Sequence, residues 1–175
     1  MEAAKLIIRE ELEGLRQRII ENHVNAGQVA SGRTSASLEL MTDDNRGVLY
    51  GRQAFWTLEH GRPGGPVPRN FHSIIKQWIL DKGISFSSIP YVRKPSEKWQ
   101  PKYTPQERGL NSLAGAIAYK IRKEGTSLFR QGGRDDIYSH EIDKTIENIN
   151  SRIFVLLETE IHTINDNIHD ETASN

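Results

Sequence analysis

The sequence predicts an α+β fold: an N-terminal helix, an antiparallel β-hairpin, a short helix, a long loop and two further helices. Three observations carry this. Apolar residues recur every three or four positions near both ends of the chain and again after Thr104. They alternate with polar residues on both sides of a turn cluster at 43–47. Glycine, proline and capping residues fall between these segments.

Taken in order, residues 3–25 place Ile8, Leu12, Leu15 and Ile19 on one stripe, which Gly27 and Ser31-Gly32 end. Leu38 and Leu40 alternate with polar neighbours from Ala36 to Thr42, as in a half-buried strand. After Asp43-Asp44-Asn45-Arg46-Gly47, Val48, Tyr50, Ala54, Trp56 and Leu58 fit one face of a second strand. Such a hairpin is only marginally stable alone, so it must pack on helices or join a larger sheet, within the chain or between subunits. The stretch Gly61-Arg62-Pro63-Gly64-Gly65-Pro66-Val67-Pro68 breaks any regular element. Asn70 is the expected N-cap of a short helix carrying Phe71, Ile74, Ile75 and Trp78 and closed by Gly83. Trp56 and Trp78 are expected together in a buried cluster. Residues 84–103, with Pro90, Pro95 and Pro101 and no period, read as an extended arm that a partner orders.

Thr104-Pro105-Gln106-Glu107 is a capping box with proline at the first helical position. Leu110, Leu113, Ala114, Ile117 and Ile121 follow as a stripe, and Gly125 closes the helix behind Lys120, Arg122 and Lys123. The last helix starts near Ser139. Its stripe of Ile142, Ile146, Ile149 and Ile153 continues through Leu157, Ile161, Ile164 and Ile168, a length suited to helix-on-helix or intersubunit packing. One domain over 1–169 and a flexible tail at 170–175 are the expected organisation.

The 175 residues carry 23 Lys/Arg and 23 Asp/Glu, with no cysteine, and mean hydropathy is −0.59. That excludes a disulfide framework and cysteine-based zinc sites. No run approaches a membrane span, and the start lacks the basic-then-apolar pattern of a signal peptide, so cytoplasmic synthesis is expected. The zero net charge hides a segregation: −1 over residues 1–27, +9 over 28–134 and −8 over 135–175. The basic middle suits nucleic acid, its own acidic helix, or the acidic helix of another copy. A neutral chain favours the protein contacts.

No enzyme signal stands out. The glycine-rich turn lacks the Lys-Ser/Thr of a phosphate loop, and its prolines remove amides such a loop uses. Glu158, His162, Asp166 and His169 recur at helical spacing like metal ligands, but they also flank the apolar stripe as ordinary polar neighbours do. No catalytic, cofactor or metal residue is therefore assigned. Tyr91, Arg93, Lys94, Lys98, Trp99, Lys102 and Tyr103 interleave cations with aromatics, which suits either single-stranded nucleic acid or protein docking, the latter preferred. The interface candidates are Arg62, Arg93, Lys94, Lys98, Trp99 and Lys102 on the basic side and Glu158, Glu160 and Asp166 on the acidic side.

Four short motifs occur in order: Glu59-His60-Gly61, Gly65-Pro66-Val67-Pro68, Ile75-Lys76-Gln77-Trp78 and Ile121-Arg122-Lys123-Glu124-Gly125-Thr126. Together they resemble a family of tailed-bacteriophage neck proteins, related to minor tail protein Z and the tail-completion proteins, over roughly Ser31 to Thr126. The resemblance implies a non-enzymatic virion component, made in the host cytoplasm, that forms a ring between the portal-proximal connector and the tail. Its implied partners are copies of itself and other neck, portal-adaptor or tail proteins, with weak contact to DNA in the channel and none to membrane. The Lys/Trp-rich segment 84–103 and the long acidic C-terminal helix depart from the family pattern. A nucleic-acid-binding accessory protein is the alternative.

Overall fold

In the computed structural model, residues 2–43, 46–92 and 101–173 are described, with 167 and 169–173 in their backbone alone. The architecture is α+β. Six helices, α1 (Glu2–Asn25), α2 (Trp56–His60), α3 (Phe71–Asp81), α4 (Pro105–Glu124), α5 (Ser127–Arg130) and α6 (Ser139–Ala173), accompany strands β1 (Glu39–Thr42) and β2 (Gly47–Tyr50). The chain divides into two compact units.

The first unit comprises residues 1–28, 33–55 and 135–175 and holds α1, the hairpin and α6. The α1 stripe buries Leu15 and Ile19 as the spacing predicts, and Gly27 turns the chain with φ of 64°. α6 packs antiparallel to α1 through polar clasps. Arg18 donates from Nε to Glu141 (2.6 Å) and from Nη2 to the buried Thr145 hydroxyl (2.8 Å). Nearer the start of α1, Arg152 reaches Glu10 (2.6 Å) and Glu11 (2.8 Å). The strands pair antiparallel with Leu40 opposite Leu49 and Met41 opposite Val48, forming a two-stranded sheet among the described residues. Leu38 is buried, and its carbonyl accepts from Arg16 Nε at 3.1 Å. A small cleft of about 200 Å³ lies among Leu15, Ile19, Leu38, Leu49, Phe55 and Tyr138.

Three expectations change here. The second strand does not run to Leu58 but ends at Tyr50, and Gln53–Phe55 forms a 3₁₀ turn leading into α2. The short alternation over 54–58 also fits one helical turn, and helix formation is what buries Glu59 completely. In α6 the side chains turned inward include Glu141, Thr145, Asn148 and Ile149, whereas Ile142 and Ile146, on the expected stripe, are exposed. The clasps to α1 set that rotation. The helix also continues through Ala173, taking in most of the expected tail.

The second unit comprises residues 29–32 and 56–134. Ile75, Ile79, Leu110 and Ala114 form its core where α3 meets α4, with Phe71, Ile84, Phe86 and Ile117 packed around them. The capping box forms as read: the Glu107 amide donates to Thr104 Oγ1 (3.2 Å), and the Thr104 amide donates to Glu107 Oε2 (2.8 Å). Hydrogen bonding to Thr104, first from its amide and then from its side chain, holds the Glu107 carboxyl below the usual carboxylate range. Asn70 caps α3 by position only, since its side chain makes no capping bond.

Trp56 and Trp78 are not core residues. Trp56 is 54% exposed and stacks on His60 at 4.3 Å between ring centroids; Trp78 is 38% exposed. On α3, Ile75 and Ile79 take the face toward α4 and leave Trp78 at its rim. The first part of the expected arm is likewise seated on its own unit. Ile84 and Phe86 join the core, the Ile89 amide donates to the Pro105 carbonyl (2.9 Å), and a Cβ on Gly109 would lie 2.0 Å from the Ser87 carbonyl oxygen. Residues 84–92 have no regular structure; Ile84 and Phe86 pack, while Ile89 and Val92 stay exposed.

Candidate functional site

The motif segments of the second unit meet at one junction. α2 closes at His60, and buried Gly61 reverses the chain with φ of 68°, its amide donating to the Thr57 carbonyl (3.0 Å). Only glycine fits. A Cβ there would stand 2.4 Å from the Phe129 amide nitrogen and 2.6 Å from Thr126 Oγ1. The next residue makes a reciprocal pair across 64 positions: the Arg62 amide donates to Thr126 Oγ1 (2.9 Å), and the Thr126 amide donates to the Arg62 carbonyl (2.9 Å). Gly125, at φ of 81°, brings the backbones together, since a Cβ would lie 2.6 Å from the Arg62 carbonyl oxygen.

Two helix ends are satisfied at the same place. The Gly65 amide donates to the Arg122 carbonyl at the end of α4 (2.7 Å), and Thr126 Oγ1 also accepts from the Phe129 amide as the N-cap of α5 (3.4 Å). Arg62 donates to the carbonyls of Pro63 and Pro66 and lies 5.3 Å from the centroid of the Phe71 ring. This interface candidate therefore clamps its own turn. Beyond α5, the Arg134 amide donates to the Glu59 carbonyl at 2.8 Å.

Chemically, the junction is a backbone cross-link. Its amides and its threonine hydroxyl are engaged in hydrogen bonds. Among the described residues, no group of three His, Asp or Glu side chains is placed to hold a metal ion. Glu158, His162 and Asp166 are exposed along α6, and the side chain of His169 lies outside the described residues.

Arg93, Lys94, Lys98 and Trp99 lie outside the described residues; Lys102 is exposed, with its ammonium 5.4 Å from the Tyr103 ring centroid. Glu158, Glu160 and Asp166 are exposed on the last turns of α6. Assigning every charge to its unit sharpens the segregation. The second unit has fourteen Lys/Arg against five Asp/Glu, net +9; the first has nine against eighteen, net −9. The hairpin block at 28–55 is neutral in itself and folds with the acidic ends of the chain.

Sequence reasoning missed the Arg62–Thr126 pairing and the burial of Glu59. The first had a partial signal in Gly-Thr placed directly after a helix, where a left-handed turn and a new cap are common. The second had none. Compared with protein-family models, with curated proteins and with solved structures, the chain matches none of them.

Proposed function

We propose that this chain is a non-enzymatic structural subunit of a tailed-phage virion, a neck or tail-completion protein whose copies form a ring joining the portal-proximal connector to the tail. The observation that carries the reading is the junction. Gly61, which the motif resemblance singles out on one side, packs closely against Thr126 and Phe129 on the other, and Arg62 directly after it exchanges hydrogen bonds with Thr126 across 64 positions. They therefore act as one structural unit, as a family signature requires. Oppositely charged units support assembly, because a ring needs a surface that recognises a different surface on the next copy. The partners in this reading are copies of the chain and neighbouring neck, adaptor or tail proteins. Its place is the virion, after synthesis in the host bacterial cytoplasm.

Native mass spectrometry with negative-stain imaging tests this. A closed ring of copies is the expected result, and a monomer at high concentration in low salt would overturn it. The net +9 of the second unit favours one other reading, a nucleic-acid-binding accessory protein. A gel-shift series separates the two: a DNA binder loses affinity steeply as salt rises, whereas a ring subunit shows little binding at any salt.

A further inference from the structure

Among the described residues, the end of α6 has a second apolar face that stays exposed within its own unit. Phe154, Leu157, Ile161 and Ile164 follow one another at spacings of three, four and three, and each is between 50% and 61% exposed. That spacing is the a/d seam of a helix made to pack on another helix. α1 cannot supply the partner. The Arg18–Glu141 and Arg152–Glu10 bridges fix the antiparallel register, so α1 begins opposite roughly residue 160. The last turns of α6 project past it by about 20 Å.

The charge around the seam selects its occupant. After Arg152 the chain has no further lysine or arginine, while Glu158, Glu160, Asp166, Asp170 and Glu171 follow. A second copy of the same helix would bring like charges together along its whole length, which disfavours self-pairing. A cationic helix face fits, and the chain carries one. On α4, Ala116, Tyr119, Lys120 and Lys123 share a face opposite the core, all four exposed and Tyr119 to 68%. Glu124 borders that face but is paired with Arg130, and the small Ala116 leaves room for a helix to approach.

We propose that the acidic, apolar end of α6 docks on the Tyr119–Lys120–Lys123 face of α4 in a second copy, head to tail. The inference rests on the chain being an assembling subunit and names the surfaces that do it. Contact of this kind repeats from copy to copy and closes into a ring if the rotation permits.

The test is a charge swap read by sedimentation velocity and native mass across a concentration series, with helical circular dichroism confirming that each variant folds. Glu158→Lys with Glu160→Lys, and separately Lys120→Glu with Lys123→Glu, should each weaken association about tenfold or more. The four substitutions together should restore it to within about threefold of the unmodified chain. Ile161→Asp with Ile164→Asp should abolish it at all salt concentrations. If the unmodified chain assembles and neither reversal weakens it, the docking is wrong while the ring reading stands. Reversals that weaken assembly without mutual rescue would overturn the α4 face as the partner. An unmodified chain that stays monomeric throughout sinks both readings.

Discussion

The two units of this chain are held together by different physics. The acidic unit joins long helices through charged clasps at partly exposed positions, Arg18 with Glu141 and Arg152 with Glu10 and Glu11, around a thin apolar layer. The basic unit relies on a small aliphatic core and on backbones brought into contact by glycine. Exposed ion pairs each contribute little, so the acidic unit depends on many weak contacts spread along a helix. The basic unit concentrates its stability in a few buried atoms. Local damage should therefore cost the basic unit more.

The largest effect expected is at Ile79, which has no exposed surface. Ile79→Ala should destabilise the protein by about 2–5 kcal/mol, as buried large-to-small changes do. In chemical denaturation it should lower the midpoint with little change in slope. The matching change in the acidic unit is Arg18→Ala. Its side chain is 30% exposed, beside a Glu141 that is 15% exposed, and the loss should be about 1 kcal/mol. A larger loss at Arg18 than at Ile79 would reverse the comparison and place the critical contacts in the helix clasp.

The smallest effect concerns acid. The Glu107 carboxyl titrates below its ordinary value in the folded chain, so its capping bonds contribute fully above about pH 4.3, the unfolded value. That contribution fades as pH falls through the lower folded value. Glu107→Ala should thus melt at a lower temperature than the unmodified chain at neutral pH, and the gap should close in acid. A gap independent of pH would mean that the side chain acts through helix propensity alone.

How much was legible in advance follows from the range of each interaction. Capping chemistry is local, and Thr104-Pro105-Gln106-Glu107 reads in the folded chain as it does on paper. The ends at Gly27 and Gly83, both at positive φ, are local too. The helical period of α6 identified the helix but not its buried side. Phe154, Val155, Leu156 and Leu157 put apolar groups nearly all round, and a contact from α1 decides which of them turn inward. Alternation failed after Tyr50 because five residues cannot separate a strand from one helical turn. For the meeting of Arg62 with Thr126, Gly-Thr after a helix signalled a turn and a new cap, but no local pattern names a partner 64 residues away. Of the five interface candidates among the described residues, only Arg62 falls at that junction, and it acts there on its own turn.

The junction also bears on how freely such a protein can drift. Its bonds run between main-chain atoms and a single hydroxyl, so they ask for two residues without side chains and one threonine. The Arg62 clamp and the Pro63–Pro68 turn read no other identity at the crossing point itself. Two distant copies of the design could share little beyond those three letters and still close the same knot, their similarity surviving in shape after it had faded from the text.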